Sequence, residues 1–529
     1  MFDYLIRNGM VVDGSGNVGF KATVAIDGDT VKILVGDTSA VETRQVVDAT
    51  DCVVCPGFID VHTHSDIVPL ANVKNEPKIM MGVCTDMIGV DGMGYAPLSP
   101  DNLKKMLLVW AGVNGYPNTD YNWSSVAEYL ARFDKATSTN MGYFVPNSCL
   151  RAEVVGWSNR PATPDELIEM QKLLRQGMEE GALGLSTGLT YPPGSYASRD
   201  ELVELCKTVG EYGGVYVTHV RYDLGDGALD GFREAIAIGS LSGCPVHISH
   251  YATTLATRGR PEQLLQIIDE ARARGLDVTF DSYPWPAGSS YLSAALPQWA
   301  QDGGPDRLLE CIRDTDTRAA MRLQAPALAG AADKLVISAV RTDKNMWCEG
   351  LTVQQVADTL GKDPWNTVCD LLVEEDLEVA FYTFTGHMDD VKVIMQHPAQ
   401  MVCTDGLQIG GMPNPRTYGT YPKILGQMVR DEKLMPLEQA VRKMTSFPAQ
   451  RFGLTDRGLL RDGMKADIVV FNPTTVNVVA TFDDPKRFPI GIEHVFVNGV
   501  PVVSRGIHTG ATPGMPLRNS FAAGSHKQR

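Results

Sequence analysis

The sequence of 529 residues lacks the segments that membrane and secreted proteins carry. No stretch approaches the roughly 18 uncharged apolar residues that a membrane-spanning helix requires. The N-terminus has no basic segment followed by an apolar one, so we expect no signal peptide. Both absences predict a cytoplasmic protein without a membrane partner.

Basic residues are also in short supply. The chain contains 47 Lys and Arg residues against 63 Asp and Glu residues, which gives a net charge of −16 at pH 7. A surface of this sign repels phosphate backbones, so we expect no nucleic-acid partner. With 44% hydrophobic and 21% charged residues, the composition is typical of a globular protein and excludes a disordered or fibrous one.

Cysteine is present, but not as a disulfide framework. The ten cysteines are scattered through apolar segments without the dense spacing of a stapled domain. Cys52 and Cys55 have the spacing of a redox or zinc motif, yet no second such pair accompanies them. We therefore interpret them as buried side chains in a reducing compartment.

The two ends of the chain have the same sequence pattern. Residues 1–55 and 456–515 contain short β-branched runs separated by tight-turn signals such as Asp-Gly and Asn-Gly. Neither end alone has enough strands to bury an apolar face well. The pattern predicts one small β-sandwich formed by both chain ends, followed by a C-terminal tail at 516–529.

The middle of the chain, residues 56–455, alternates between strands and amphipathic helices. Apolar strand candidates occur at 57–64, 82–91, 141–146, 181–188, 215–221, 245–250, 276–284 and 400–406. Eight strands with intervening helices predict the α/β fold class, as a TIM (β/α)8 barrel. Residues from about 285 to 350 break the alternation, which indicates an inserted subdomain after the seventh strand.

Histidines stand at the ends of several of these strands. His62 and His64 end the first, where alternate residues share one face, although a single His-x-His pattern is a weak signal. His219 and His250 end the fifth and sixth strands, and Asp405 ends the last. A barrel gathers the C-terminal ends of its strands around one mouth, so these side chains are expected to converge. Four imidazoles and a carboxylate suit a divalent metal such as zinc.

The remaining histidines are weaker candidates. Strand alternation directs His247 away from the mouth, and His387 precedes a helical run, where it is either a helix cap or a lid contact. The others fall in surface or loop positions, namely His397, His494, His508 and His526.

Several segments together resemble one enzyme family. GFIDVHTHSD, GALGLSTGLTYPPG, the His219 and His250 strand ends, and CTDG followed by PRTYGTYPKILG are similar to the D-aminoacylases. These are N-acyl-D-amino-acid deacylases of the metal-dependent amidohydrolase superfamily. The resemblance covers residues 1–515 in the family's order, and GLSTGLTYPPG is its most discriminating part. It implies the same barrel, terminal β-sandwich and insertion after strand seven.

The resemblance also implies the ligands of one or two Zn²⁺ ions. His62, His64 and Asp405 match one metal position, whereas His219 and His250 match the other. Many superfamily members bridge two metals with a carboxylated lysine after strand four, but GALGLSTGLTYPPG contains no lysine. This departure disfavours the hydantoinase and dihydroorotase branches.

Asp91 occupies a place where the D-aminoacylases have a cysteine. The family's turn is Gly-Asn-Cys-Gly, and here it is Gly-Val-Asp-Gly, residues 89–92. A carboxylate binds zinc but is harder and less selective than a thiolate, so another divalent metal remains open. Cys84, on the preceding strand, is a rival ligand.

Substrate contacts match the family in part. Tyr191, Tyr283, Ser289 and Arg416 stand at positions that it uses around the acyl group and the substrate carboxylate. Ala252 replaces a lysine that usually follows the sixth-strand histidine. Either Arg416 suffices to bind the carboxylate, helped by Arg221, or the substrate is not an ordinary N-acyl-D-amino acid.

The resemblance implies hydrolysis of an N-acyl-D-amino acid to a carboxylate and a D-amino acid. Asp405 is the expected general base and then general acid, with Tyr191 or Tyr283 as donor to the developing oxyanion. One alternative keeps this chemistry but acts on a cyclic amide, an N-carbamoyl compound, a dipeptide or a xenobiotic amide. Another is a non-catalytic metal-binding barrel. The sequence leaves the oligomeric state open.

Overall fold

The N-terminal β-branched runs form two sets of short strands. A computed structural model of the chain describes residues 1–222, 228–325, 328 and 330–519. Its first strands are β1 (Phe2–Arg7), β2 (Met10–Val11), β3 (Phe20–Lys21), β4 (Thr23–Asp27), β5 (Thr30–Leu34), β6 (Thr43–Asp48) and β7 (Val53–Pro56). Four of them make one sheet in the order β5-β4-β1-β6.

A run of parallel strands follows. They are β8 (Phe58–Asp60), β9 (Val83–Ile88), β10 (Asn140–Tyr143), β11 (Val145–Pro146), β12 (Gly184–Gly188), β13 (Val215–His219), β14 (Val246–Ile248) and β15 (Val278–Ser282). β10 and β11 are two parts of one segment interrupted at Phe144. Each strand pairs in parallel with the next along the chain, so all their C-terminal ends lie at one edge.

Helices connect these strands as the amphipathic patterns predict. They are α1 (Val68–Ala71), α2 (Glu76–Ile79), α3 (Pro100–Val109), α4 (Ala111–Asn114), α5 (Val126–Ala131), α6 (Asn147–Val154), α7 (Pro164–Glu179), α8 (Arg199–Glu211), α9 (Ala228–Ser242) and α10 (Pro261–Ala273). Thr163 and Glu166 form a reciprocal capping box at the start of α7, which satisfies backbone donors that the first helical turn leaves unpaired. A short 3₁₀ turn spans Gly194–Tyr196.

The segment after β15 forms a unit with its own core. Its elements are β16 (Gly288–Tyr291), α11 (Pro305–Arg313), α12 (Thr315–Gln324), β17 (Val336–Val340), α13 (Val353–Leu360), α14 (Pro364–Glu374) and β18 (Val379–Thr383), with 3₁₀ turns at Leu292–Ala295, Gln298–Gln301 and Met346–Cys348. β18 is the middle strand of the antiparallel sheet β16-β18-β17. The sheet of this unit therefore includes a strand beyond residue 350, and the boundary of the insertion stays a prediction.

The chain then returns to the parallel strands. The elements are α15 (Met388–Gln396), β19 (Gln400–Val402), α16 (Arg416–Lys423), a π-helix (Ile424–Asp431), α17 (Leu437–Met444) and α18 (Ser446–Arg451). β19 pairs in parallel with β15. Beyond its end, the Asp405 amide donates to the His62 carbonyl (2.8 Å) and the His64 amide donates to the Gly406 carbonyl (3.2 Å). The last parallel strand thus lies beside the first.

The C-terminal strands join those of the N-terminus. They are β20 (Ile468–Phe471), β21 (Ile492–Val497), β22 (Val500–Ser504), β23 (Ile507–His508) and β24 (Pro516–Leu517). Strands from both ends form one sheet, β23-β22-β21-β20-β7-β2-β3. Buried side chains of both terminal sheets, among them Ile6, Val24 and Ile468, share one apolar cluster. β24 instead pairs with β10, so the predicted tail begins as a strand; its residues 520–529, with His526, lie outside the described residues.

The cysteines and the lengths of the apolar helices can be compared with the predictions made from the sequence. All ten cysteines lie in the described part of the chain as free thiols, and Cys55 is buried whereas Cys52 is partly exposed. Within the same described residues, no helix is both long enough and apolar enough to cross a bilayer.

Candidate metal centre and active site

The four strand-end histidines converge on one carboxylate oxygen. Asp91 Oδ2 lies 3.3 Å from His62 Nε2, 3.8 Å from His64 Nε2, 3.6 Å from His219 Nδ1 and 3.4 Å from His250 Nε2. These side chains come from the ends of β8, β13 and β14 and from the turn after β9. The convergence that the strand-end positions predict is therefore present.

The cluster divides into two sets of ligand atoms that share Asp91. One set contains His62, His64, Asp91 and Asp405, and the other contains Asp91, His219 and His250. Within each set the ligand atoms lie within 4.8 Å of one another. Asp91, which only the family resemblance pointed to, is the member common to both.

Backbone conformation marks three of the cluster residues. Asp91, His250 and Asp405 have positive φ angles of 55°, 35° and 46°. Residues other than glycine rarely adopt this region, and doing so costs roughly 1–3 kcal/mol unless the surroundings enforce it. These three residues adopt the left-handed conformation where their side chains turn toward the cluster.

The turn that carries Asp91 is held by the GLSTG segment of β12. The Ser186 hydroxyl donates to the Gly89 carbonyl, and the Gly92 amide donates back to Ser186 Oγ at 3.2 Å. A Cβ atom added at Gly188 would overlap the backbone oxygen of Asp91. The most discriminating motif of the sequence thus fixes the position of a candidate ligand.

We expect Gly188→Ala to lower the bound metal content of the folded protein, because the added methyl group must displace the Asp91 turn. Overpacking of this kind costs about 1–3 kcal/mol of stability. Elemental analysis and thermal unfolding measure the two effects. Gly210→Ala is the matched control, since a Cβ there meets no atom of the described residues within 4 Å. Normal metal content in Gly188→Ala would contradict the role of this contact.

The electrostatics of the cluster favour a bound cation. Burial alone lowers the pKa of His62, but Asp91 and Asp281 outweigh it and hold the pKa well above its usual value. Burial raises the pKa of Asp91, yet His62 and His250 prevail and hold it well below. Buried carboxylates are therefore ionised at the centre of the site, and they need positive charge beside them.

Unpaired donor and acceptor atoms at the centre give the same indication. No hydrogen-bond partner among the described residues reaches His62 Nδ1 or Nε2, His64 Nδ1 or Asp91 Oδ1, although these atoms are buried. Imidazole nitrogens and carboxylate oxygens are ordinary zinc ligands. The residues present fit a divalent metal.

Asp281, a residue that the sequence reasoning missed, anchors two histidines. Its Oδ1 accepts the His250 backbone amide (2.7 Å), and its Oδ2 pairs with His247 Nε2 (2.9 Å) and lies 3.7 Å from His62 Nδ1. His247 is outside the cavity lining described below, in agreement with the predicted alternation. The strand-end position of Asp281 in TFDSYP was a signal that could have found it.

Two hydroxyls orient the other imidazoles. Thr190 Oγ1 lies 2.7 Å from His219 Nε2, and the Tyr222 hydroxyl lies 3.2 Å from His250 Nδ1. Outer contacts of this kind fix the tautomer and the direction of a metal-binding imidazole. Neither residue carries a sequence signal of its own.

A buried ion pair aligns the first and last parallel strands. Asp60 Oδ2 accepts from Lys78 Nζ (2.5 Å) and from Thr404 Oγ1 (2.6 Å), while its Oδ1 accepts from the Thr404 amide (2.9 Å). His62 and Asp405 follow directly on these strands. This network, also missed, sets the mutual position of two candidate ligands.

A cavity of about 110 Å³ opens onto the cluster. The predicted substrate residues Tyr191, Tyr283 and Ser289 line it, together with apolar side chains. Burial raises the pKa of Tyr191 and of Tyr283, so both hydroxyls stay protonated at neutral pH and can donate hydrogen bonds. The apolar lining consists of Met93, Val113, Tyr291 and Leu407.

Arg416, the first residue of α16, lies beside this cavity. It is fully buried, its Nη2 is 2.9 Å from Asp405 Oδ2, and its guanidinium carbon is 4.3 Å from the ring centre of Tyr283. Apart from this ion pair, the side-chain nitrogens Nε and Nη1 have no hydrogen-bond partner within the described ranges. The cation beside Asp405, together with His64 and His62, outweighs the effect of burial and lowers the pKa of Asp405 to about 2.

Arg221 does not enter the cavity, which corrects its predicted role in substrate binding. Its guanidinium donates to the carbonyls of Ser195 (2.7 Å) and Ala197 (3.0 Å) and pairs with Glu234 (3.3 Å). These contacts direct the side chain along the loop after β12. Arg221 therefore braces that loop.

Two further candidates also lie elsewhere. Cys84 is buried with its Sγ 3.5 Å from the Phe496 carbonyl, on the side of the terminal sheet, and is no rival ligand. His387 occupies the N-cap position of α15 and pairs with Asp390 (3.0 Å), which is the cap alternative of its two interpretations.

Comparison with known proteins gives consistent matches. The model of the amidohydrolase family matches residues 45–503. A D-aminoacylase of Alcaligenes xylosoxydans is 35% identical over 531 residues, which cover 98% of each chain.

Solved structures agree with this relationship. The crystal structure of a D-aminoacylase, 34% identical, superimposes with a TM-score of 0.82 over 98% of this chain and 100% of that one. An N-acyl-D-glutamate deacylase from Bordetella bronchiseptica, solved with zinc and a phosphonate mimic of the tetrahedral intermediate, is 31% identical with a TM-score of 0.83, covering 98% and 99%. An L-hydantoinase, at 14% identity and a TM-score of 0.57, shares the fold.

Proposed function

The chain belongs to the amidohydrolase family and is a hydrolase of linear amides, and we propose that it deacylates N-acyl-D-amino acids in a metal-dependent reaction. The products are a carboxylate and a D-amino acid. One observation carries the proposal: a cluster of metal-ligand atoms lines one cavity, and the buried guanidinium of Arg416 lies beside that cavity, against Asp405 and Tyr283. A metal centre beside an anion site is what hydrolysis of an N-acyl amino acid requires.

The proposed architecture is a closed TIM barrel at 56–455, with residues 1–55 and 456–515 forming the β-sandwich. The pairing of residues 62–64 with 405–407 supports closure, because it joins the last parallel strand to the first. The site then lies at the C-terminal mouth, where enzymes of this fold work. We also propose a cytoplasmic location, which free cysteines favour.

The metal would be held by His62, His64, Asp91, His219, His250 and Asp405, as one or two Zn²⁺ or another divalent ion. When bound, such an ion supplies Lewis acidity and makes a water molecule acidic near neutral pH. Asp91 Oδ2 has the central place between the two ligand sets. It would serve where other family branches use a carboxylated lysine.

Asp405 is the proposed proton carrier. Its Oδ1 faces His62 (3.6 Å) and His64 (3.3 Å), whereas Oδ2 is held by Arg416. The carboxylate takes a proton from water as the water oxygen bonds to the amide carbon. It then passes that proton to the leaving nitrogen as the C–N bond breaks. Arg416 keeps the carboxylate in one orientation through both transfers.

The proposed substrate contacts follow from the lining. The unpaired N–H groups of Arg416 would bind the α-carboxylate, since a buried donor without a partner costs about 1–3 kcal/mol. Tyr191 or Tyr283 would donate to the developing oxyanion. Ser289, which accepts from Asn414 Nδ2 at 3.3 Å, adds a further hydroxyl. With the carboxylate and the carbonyl both fixed, the two enantiomers would differ only in where the side chain and the α-hydrogen lie, so the shape of the cavity around the α-carbon has to select between them.

We expect turnover of N-acetyl-D-amino acids and no comparable turnover of the L series. Chelation should abolish the activity and added zinc should restore it, because the proposed reaction needs the Lewis acidity and the acidified water that the metal supplies. Amine release from each enantiomer, with metal analysis of the same samples, checks both statements. Equal use of both enantiomers would contradict the stereochemical part.

A second candidate keeps the metal chemistry but changes the substrate. Ala252, which stands where relatives carry a lysine, favours it, because one expected cation for an α-carboxylate is missing. Turnover of a cyclic amide, N-carbamoyl compound, dipeptide or xenobiotic amide, without turnover of N-acetyl-D-amino acids, would support this candidate. A protein that binds metal but hydrolyses none of these amides would support the third alternative, a non-catalytic metal-binding barrel.

A further inference from the structure

A second, smaller cavity opens beside the first at Ala252. The two cavities share His250, Tyr283 and Gly288 in their linings. The second one, which we call the side cavity, has a volume of about 30 Å³. This is room for roughly two water-sized or methyl-sized groups.

The side cavity is apolar. Its lining includes Tyr251, Ala252, Trp285, Val391 and Ile394. Among the described lining residues there is no lysine, arginine, aspartate or glutamate, and the titratable groups are the shared His250 and the two tyrosines. A charged group placed here would lose its hydration without gaining an ionic partner.

The wall of the side cavity is fixed in place. The indole of Trp285 donates to Thr420 Oγ1 (3.1 Å), and Lys423 Nζ stacks 3.9 Å from the ring centre on a face outside the lining. Trp285 is buried, as are Tyr251 and Ile394. A rigid wall discriminates by size, because it cannot move aside for a larger group.

Tyr283 relates the side cavity to the anion site. The guanidinium of Arg416 lies over the ring of Tyr283, and Tyr283 lines both cavities. The carboxylate and the side chain of an amino acid are bonded to one α-carbon. With the carboxylate at Arg416, the side chain of the substrate would enter the side cavity past Tyr283, and the acyl group would extend along Met93, Val113 and Leu407.

We propose that the side cavity binds the side chain of the amino-acid part of the substrate and that Ala252 sets its size. The preferred side chain is small, aliphatic and uncharged. The assignment rests on the proposed deacylase function and adds the substrate class to it.

The test compares N-acetyl-D-valine with N-acetylglycine in the metal-loaded enzyme. Ala252→Leu fills the side cavity, so we expect the ratio of their kcat/KM values to fall about 10-fold or more, as for loss of a methyl-sized pocket. Ala252→Gly, which enlarges the cavity, should raise the kcat/KM for N-acetyl-D-leucine relative to N-acetyl-D-valine. Val113→Leu is the control, because Val113 lines only the larger cavity. It should change the preference for N-acetyl over N-butyryl substrates and leave the ratio of kcat/KM for N-acetyl-D-valine to that for N-acetylglycine unchanged.

Binding measurements separate this inference from the proposed function. Calorimetry of N-acetyl-D-valine and N-acetylglycine with the same proteins reports selectivity whether or not hydrolysis follows. Selective binding that Ala252→Leu removes, without turnover, would support the side cavity and overturn the deacylase function. If both Ala252 variants turn over substrate with an unchanged ratio of kcat/KM for N-acetyl-D-valine to that for N-acetylglycine, or change only the preference for the acyl group, the proposed role of the side cavity is overturned and the deacylase function is not. Neither binding nor turnover of N-acetyl-D-valine would overturn both.

Discussion

Asp405→Asn is expected to reduce kcat for N-acetyl-D-amino acids by about 10²–10⁴-fold, since it removes the group that carries the proton. The bound metal should stay close to the wild-type amount, because His62, His64 and Asp91 keep their ligand atoms around the same place. Initial rates at saturating substrate, with elemental analysis of each sample, measure both quantities.

The control for Asp405→Asn is Asp277→Asn. Asp277 is largely exposed and pairs with Arg451 away from the cluster, so its variant should keep wild-type kcat. If Asp405→Asn retains wild-type kcat, Asp405 is not the base. If the Asp405→Asn protein loses its metal, the main role of Asp405 is that of a metal ligand.

Asp91→Ala is expected to weaken metal binding by about 100-fold or more, at least as much as the loss of an outer-shell contact costs. The reason is geometric: one oxygen of this side chain lies within 3.8 Å of a nitrogen of each of four histidines. Removal of that oxygen affects both ligand sets at once. Competition with a chromophoric zinc chelator gives the affinity and the stoichiometry.

Asp91→Cys provides the matched variant. It restores an anionic ligand of the type that the D-aminoacylases use, and a thiolate is softer and more selective for zinc. We expect zinc binding to persist, with weaker competition from harder divalent ions than in the wild type. Wild-type zinc affinity in Asp91→Ala would show that His219 and His250 hold the ion without this carboxylate.

Family membership was predictable because its motifs are local and occur in order. The comparisons confirm the D-aminoacylase resemblance and hydrolase assignment. The roles of Asp405, Asp91 and Arg416 stay predictions, as do the domain boundaries. The parallel strands were found because each is a short apolar run between turn or helix signals, and that pattern needs no knowledge of neighbouring segments.

The errors have a common origin in contacts that join distant parts of the chain. Arg221 follows His219 directly, but the direction of its side chain depends on the carbonyls of Ser195 and Ala197 and on Glu234. β18 lies beyond the expected end of the insertion near residue 350, yet it completes a sheet with strands far before it. Asp60 and Lys78 were missed for the same reason, since their partner Thr404 lies just after the last parallel strand.

The sequence by itself determined which residue types stand at the strand ends, namely four histidines and Asp405. It could do so because periodicity and order along the chain are local properties. Only the tertiary structure decided that the four histidines converge on Oδ2 of Asp91, that Arg416 pairs with Asp405, and that Ala252 borders an apolar cavity. Those facts are distances between segments, and folding alone sets them.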